Sequence, residues 1–156
     1  MDLALTDIMR EAPSHPRFLK CLALLGSKVR PPLGFRQRLE GRLDIKKDGL
    51  IPIQNLARYH AFSKWITAST TLERLEAVRE ACGVDTTTEQ ALREAFISIS
   101  ELQLRHHARL LQAGRAPHNV IDVATLRPLT RVTLQEALRE VAAAQKRFPW
   151  PSGLRL

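Results

Sequence analysis

The apolar residues of this chain recur every three to four positions over most of its length, which is the period of a helix packed on one side. Proline and glycine separate these periodic stretches: Pro31-Pro32 follows the first, Gly83 the third and Gly114 the fourth. The pattern predicts an all-α fold, a helical bundle of about five to six helices. The whole chain, residues 1–156, is predicted to form this single helical domain.

Capping signals predict where the helices begin. A polar side chain just before an apolar stripe, a Thr-x-x-Glu or Thr-x-x-Gln pair, and a proline in the first turn are each typical of a helix start. The first helix is expected to end near Val29 and the last near Phe148. The predicted starts are Ser14, Pro52, Thr70 with Glu73, Thr87 with Gln90, and Pro128.

The fourth helix, running to about Gln112, is predicted to be the spine of the domain. It carries two apolar stripes instead of one, and a helix that is apolar on two sides packs on two sides. We therefore expect both stripes to be covered by neighbouring helices at the centre of the bundle. The stripes are Leu92, Phe96, Ile99 and Leu110, and Ile97, Leu104, Ala108 and Leu111.

One segment, 41–49, departs from the helical period because its polar and apolar residues alternate. In an extended chain Arg42, Asp44 and Lys46 share one side, and Leu43 and Ile45 share the other. The segment is predicted to be a short extended stretch.

A turn at Asp48-Gly49 is predicted to join this extended segment to the helix that Pro52 begins. Arg58 lies nearly two turns into that helix. We expect Asp44, Lys46 and Arg58 to lie within one polar cleft, where charges of mixed sign meet.

Composition restricts the class of protein. The chain is 44% hydrophobic and 26% charged, which is typical of a globular domain, and only 5% aromatic, so aliphatic side chains must fill the core. It has no apolar run of the ~20 residues that cross a bilayer and no signal-peptide pattern. Cys21 and Cys82 are in no metal or redox spacing. We expect a cytoplasmic protein with no membrane partner.

The formal net charge of +8 points to an anionic partner. Most of the basic residues are arginines, which bind carboxylate and phosphate in a bidentate manner. The alternative is that these charges only keep the protein soluble, since they are spread along the chain. Nucleic acid is an unlikely partner, because few aromatic residues are available to stack on bases.

Five short motifs, in order and at matching spacing, resemble one family. The segment from Gly41 to Arg58 resembles its G-x-x-D-[LI]-K-x-x-G-[LI]-x-P signature, which ends in A-R. The chain is similar, over about residues 16–148, to the nucleotidyltransferase substrate-binding domain of the DUF294 C-terminal type. The other motifs are Arg30–Gly34 (R-P-P-L-G), Ser69–Leu75 (T-x-x-R-L), Leu104–His107 (R-L-R-H-Q, with His107 in place of Gln) and Gly114–Asn119 (G-x-x-P-x-N).

The resemblance implies a helical domain that closes bacterial proteins carrying CBS or cyclic-nucleotide-binding modules and a nucleotidyltransferase domain. It implies that this domain presents the acceptor in a signalling protein of the uridylyl- or adenylyltransferase kind. The expected partners are the catalytic domain and an anionic or phosphorylated acceptor. The alternative is a protein–protein interaction module that has no ligand of its own.

Catalysis by this chain alone is not expected. Nucleotidyltransferases pair Gly-Ser with a following Asp-x-Asp that holds Mg²⁺, but here Gly26-Ser27 lies inside a predicted helix and the sequence has no Asp-x-Asp. We therefore expect no cofactor in this chain, and Mg²⁺ and nucleotide only together with a catalytic domain. A histidine metal site is also not expected, because His106 and His107 project ~100° apart on a helix and lack an i+4 partner.

Nine residues are candidates for substrate binding, and each has a structural alternative. The acid and lysine of the signature are either ligand contacts or a local ion pair, and the arginines are either ligand contacts or links between helices. The polar residues of the fourth helix line a cavity or are satisfied in the core, and the asparagine binds a ligand or caps a turn. The nine are Arg42, Asp44, Lys46, Arg58, Arg74, Gln103, His106, His107 and Asn119.

Overall fold

The computed structural model describes residues 3–34, 38–82 and 86–147, and most of these residues are helical. The predicted all-α bundle is confirmed. None of the helices in the described ranges is both long and apolar enough to cross a lipid bilayer. The helices are α1 (Leu3–Glu11), α2 (Pro16–Lys28), α3 (Ile51–Ser63), α4 (Thr71–Cys82), α5 (Thr86–Gln112) and α6 (Pro128–Arg147).

Helix α5 is the spine of the bundle. It has 27 residues, which corresponds to ~40 Å, and it packs most extensively against α6 and also against α4. Helix α3 packs against both α2 and α4, so the helices form a continuous layer around one core. The largest fully buried aliphatic side chains of this core include Ile53, Leu56, Leu92, Ile99 and Leu138.

The second apolar stripe of α5 is not covered as predicted. Leu92, Ile99 and Leu110 of the first stripe are buried, but Leu104 and Leu111 of the second are 67% and 61% exposed. The expectation of packing on two sides is therefore wrong for the C-terminal half of α5. An apolar stripe shows which faces of a helix are apolar, but not whether a neighbouring element extends far enough to cover each of them.

The extended segment is confirmed, and it has a partner that the sequence pattern did not reveal. Strand β1 (Arg42–Asp44) pairs antiparallel with β2 (Val120–Asp122), and Leu43 lies opposite Ile121. Strand β2 was missed because three residues are too few to show an alternating pattern. An extended segment nevertheless implies a pairing partner elsewhere in the chain, since an unpaired strand leaves its backbone groups unsatisfied.

The predicted turn at Asp48-Gly49 is wrong, because residues Ile45–Leu50 form a π-helix that continues into α3. The backbone N–H of Ile51 donates to the carbonyl of Lys46, which is the wide hydrogen bond of this helix type. A Cβ atom at Gly49 would lie 3.1 Å from Cγ2 of Ile99. Glycine at this position therefore allows the π-helix to approach α5 closely.

Three of the predicted helix starts are confirmed. The amide of Thr70 donates to Oε2 of Glu73 at 2.9 Å, and the amide of Glu73 donates to Oγ1 of Thr70 at 3.2 Å, which is the predicted capping box. Pro52 lies in the first turn of α3, as expected. Pro128 begins α6, which is also as predicted.

Two other starts are wrong by a residue or more. Ser14 does not cap α2, because it ends a short 3₁₀ helix (Ala12–Ser14) and α2 begins at Pro16. Proline fixes the backbone dihedral that a first turn needs and requires no side-chain cap. Thr87 lies inside α5, which begins at Thr86. The predicted helix ends at Gly83 and Phe148 lie outside the described residues.

Candidate functional site: a basic cleft beside the spine helix

The candidate site is a cleft between the C-terminal half of α5, the short sheet and the start of α6. It consists of two adjoining cavities of about 440 and 250 Å³, which share Leu102, Arg109, Thr125 and Leu126 in their walls. We call the two together the basic cleft. Its basic lining residues are Arg42, Arg105, Arg109, Arg115, Arg127, His106 and His118.

Regular structure brings these arginines together from distant parts of the chain. Arg105 and Arg109 are one turn apart on α5, and Arg42 lies on β1 opposite Asp122 of β2. Arg127 directly precedes α6.

Arg115 is placed by the end of α5. Gly114 has a φ of 68°, its N–H donates to the carbonyl of Leu111, and the N–H of Arg115 donates to that of Leu110. This is a Schellman motif, in which glycine reverses the chain without strain. The motif turns the chain sharply after α5, so Arg115 lies beside Arg109 in the wall of the same cavity.

The basic cleft holds more positive than negative charge. Its two acidic lining residues are Glu101 and Asp122. Glu101 pairs with Arg105 at 3.2 Å, and the Asp122 carboxylate accepts a hydrogen bond from the amide of Ala124 at 2.9 Å. Within the described residues, the other four arginines of the cleft have no carboxylate within ion-pair distance: Arg42, Arg109, Arg115 and Arg127.

His106 lines this cleft but keeps one ring nitrogen out of solvent. Its Nε2 is buried and has no hydrogen-bond partner among the described residues, and its ring lies 5.1 Å from the ring of His118 in an edge-on arrangement. Burial lowers the pKa of His106, and the neighbouring His118 and His107 lower it further, while a hydrogen bond to the His118 backbone opposes this. The His106 ring is therefore neutral at neutral pH.

Asn119 lies at the centre of a polar cluster below the cleft. Its Oδ1 accepts a hydrogen bond from Nε2 of Gln103 at 2.8 Å and lies 3.0 Å from Nε2 of His107. Its backbone carbonyl accepts from the amide of Ile45 at 2.9 Å. Asn119 thus connects the loop after α5, α5 itself and the start of the π-helix. The His107 tautomer with hydrogen on Nε2 donates the second bond to the same oxygen.

Comparison with known proteins gives one result. A family model described as "Putative nucleotidyltransferase substrate binding domain" matches residues 16–149, which is most of the chain. The chain belongs to this family. No curated protein and no solved structure matches it. Two of the clustered polar residues of this substrate-binding domain, His107 and Asn119, come from motifs that carry the resemblance, and Gln103 directly precedes the motif of His107.

Asp44 and Lys46 of the substrate-binding domain lie where strand β1 meets the π-helix. The Asp44 carboxylate accepts from the amide of Lys47 at 2.9 Å, and the amide of Asp44 donates to the Asp48 carboxylate at 3.0 Å. These bonds cap the π-helix, which supports the structural interpretation of Asp44. Lys46 is exposed and already lies in the π-helix, so the alternation on which its grouping with Arg42 was based ends before it. Neither lines the basic cleft.

Replacing Asp44 with alanine is expected to lower the free energy of unfolding by about 1 kcal/mol, which is typical for loss of a capping side chain. Anion binding in the basic cleft should not change. Chemical denaturation and calorimetric titration measure the two effects, with Lys46→Ala as the neighbouring control that leaves both unchanged. Loss of anion binding without loss of stability would show instead that Asp44 is a ligand contact.

Arg58 and Arg74 lie on α3 and α4 and are not among the residues that line the basic cleft. The guanidinium of Arg74 lies 5.7 Å from the centre of the Phe62 ring. Burial lowers the pKa of Arg74, the charge of Arg58 lowers it further, and Glu73 opposes this. Of the nine predicted residues, Arg42 and His106 line the basic cleft.

Sequence reasoning missed most of the arginines of the cleft. Arg105 and Arg109 are four residues apart on the predicted spine helix, and Arg115 directly follows the glycine that ends it. That spacing places all three near one end of one helix, and this signal was available in the sequence. Arg127 and His118 had no comparable signal, because both lie in loops whose path depends on the pairing of β1 with β2.

Proposed function

We propose that this domain holds an anionic acceptor in the basic cleft, for transfer of a nucleotide by a separate catalytic domain. The observation that carries the proposal is the set of cleft arginines without carboxylate partners. Family membership supports it, since the family is described by substrate binding for nucleotidyltransferases. An excess of positive charge within a concave site attracts anions and concentrates them locally.

The lining of the cleft indicates the chemistry of the acceptor. Arginine binds phosphate and carboxylate through two parallel hydrogen bonds, so the acceptor carries at least one such group. Leu102, Leu126 and Ile121 provide apolar surface between the arginines, which suits an acceptor with an apolar portion. The larger cavity, about 440 Å³, is in the size range of sites for small ligands.

The transfer chemistry is assigned to another domain. The sequence has no Asp-x-Asp to hold Mg²⁺, and Gly26-Ser27 lies inside α2 instead of opening a nucleotide site. In the proposed arrangement the catalytic domain supplies Mg²⁺ and nucleotide, and the product is a uridylylated or adenylylated signalling component.

The chain alone is therefore expected to transfer no nucleotide. The measurement is incubation with labelled ATP or UTP, Mg²⁺ and candidate protein acceptors, followed by detection of label on protein. A nucleotidyltransferase with an intact metal site serves as the positive control. Label incorporated above a blank without the chain would contradict the assignment of nucleotide transfer to a separate catalytic domain.

Binding itself is tested by calorimetric titration with tripolyphosphate, a multivalent anion that can contact several arginines. The proposal predicts a saturable binding phase at the basic cleft, with affinity that falls as the salt concentration rises, because arginines in a solvated cleft are screened. Heats that stay linear with added ligand would contradict the proposal.

A second candidate function rests on a separate observation. Leu104 and Leu111 are 67% and 61% exposed on one face of α5, and exposed apolar residues that cluster are typical of protein interfaces. This favours an interaction module that docks on a protein through α5. Leu104→Ser is expected to abolish such docking while leaving tripolyphosphate binding intact, and the two candidate functions are separated by that pair of measurements.

A further inference from the structure

A second group of positive charges lies where α3 meets α4. Phe62 follows Arg58 by one turn on the same face of α3, and the guanidinium of Arg74, from α4, lies 5.7 Å from the centre of the Phe62 ring. Arg58 is near enough to Arg74 for its charge to lower the pKa of Arg74, after the larger effect of burial. We call Arg58 and Arg74 together the arginine pair.

Few negative charges of the protein balance the positive charge of the arginine pair. Neither residue has an ion-pair partner among the described residues. Glu73 is adjacent in sequence, but its carboxylate accepts hydrogen bonds from the amides of Ser69 and Thr70, at 3.1 and 2.9 Å, as part of the helix cap. Two like charges at close range repel each other, and the cap acid offsets only part of that repulsion.

Arg74 also has a hydrogen-bond donor without an acceptor. Its Nε is buried and has no acceptor among the described residues, while its two terminal nitrogens are not buried in this way. Guanidinium carries five N–H donors and no acceptor, so it is satisfied only by oxygen atoms brought to it. The terminal nitrogens are the part of Arg74 that a ligand can reach.

We infer that the arginine pair is a second anion-binding site, which takes one compact oxyanion, a phosphate or carboxylate group, between the two guanidinium groups. The anion accepts hydrogen bonds from the terminal nitrogens of Arg74 and from the exposed side chain of Arg58. Phe62 forms an apolar support beneath Arg74, which keeps the guanidinium in place. The site shares no lining residue with the basic cleft, so it extends the proposed function and does not depend on it.

The test uses the side-chain Nε–Hε resonance of Arg74, which the burial of Nε protects from rapid exchange with solvent. The chain is titrated with inorganic phosphate at constant ionic strength, with sodium acetate and sodium chloride as separate arms. We expect a saturable shift of this resonance with phosphate, with a dissociation constant on the order of millimolar. Acetate tests a carboxylate at the same site, and chloride tests simple charge screening.

Two variants locate the binding. Arg58→Gln leaves a shorter polar side chain and removes the positive charge, and it is expected to weaken phosphate binding about fivefold or more. Arg109→Gln removes one charge of the basic cleft instead and should change the Arg74 titration less than about twofold. Because Arg58 is exposed, the Arg58→Gln protein is expected to fold, which its amide spectrum verifies.

The inference is overturned if the Arg74 resonance shifts linearly with phosphate, or shifts equally with chloride. It is also overturned if Arg58→Gln leaves the phosphate titration unchanged. Arg58→Lys keeps the positive charge but loses the planar fork, and it should retain part of the affinity. An Arg58→Lys protein as weak as Arg58→Gln would assign the affinity to bidentate contact more than to charge.

Discussion

Replacing Asn119 with alanine is expected to lower the free energy of unfolding by about 1–3 kcal/mol, because it removes the acceptor for Gln103 and His107 at once. Both donors lie on α5 and are half-buried, so neither regains full hydration. The same residue fixes the loop whose carbonyl binds the amide of Ile45. Loosening this loop should therefore also weaken the pairing of β1 with β2. Chemical denaturation and amide hydrogen exchange in β1 measure the two effects.

Asn119→Asp is the matched control. The carboxylate keeps an oxygen in place for both donors, so the loss of stability should be less than about 1 kcal/mol. If alanine and aspartate destabilise the protein equally, the acceptor role of Oδ1 is wrong. If neither change affects stability, the cluster is a surface arrangement and the conformation of the loop has another cause.

Arg109→Ala is expected to weaken tripolyphosphate binding by about 10–100-fold, which corresponds to loss of one charge-assisted contact of about 1.5–3 kcal/mol. Arg109 is chosen because it lines both cavities of the basic cleft. It has no carboxylate partner among the described residues, so its removal leaves no buried acid unpaired. The stability of the protein should change little, since Arg109 is exposed.

Arg10→Ala is the control variant, because it changes the net charge by the same amount as Arg109→Ala. Arg10 is on α1 and pairs with Asp7 at 3.6 Å on an exposed surface. Its replacement removes the same net charge but should alter the affinity less than about twofold. If the two variants lose affinity equally, tripolyphosphate binds to the overall charge of the protein and not to the basic cleft.

The helices could be predicted from sequence because the residues that begin them act locally. The capping box of Thr70 and Glu73, and the prolines at 52 and 128, act within one turn, and each places its helix correctly. The π-helix could not be predicted in this way. Asp48-Gly49 has the composition of a turn, but Gly49 serves a close approach to Ile99, which is fifty residues away in sequence.

The site shows the same division between local and distant causes. The motif residues His107 and Asn119 do come together, with Gln103 beside them, although as a hydrogen-bonded support below the cleft. The cleft itself depends on how β1 meets β2 and how far α6 extends beside α5, and no local pattern encodes either distance. The sequence does not distinguish a charged residue that faces solvent from one that faces a cavity.

The central claim, that the basic cleft binds an anionic ligand, is tested most directly by mapping where the ligand binds. Amide chemical shifts of the uniformly labelled chain are followed while tripolyphosphate is added at constant salt. The account predicts that the tightest phase perturbs residues 105–115 and 118–127 together with Arg42, and that Arg109→Ala removes this phase. It is contradicted if the tightest phase is centred elsewhere, if shifts spread over all arginines alike, or if no saturable phase appears.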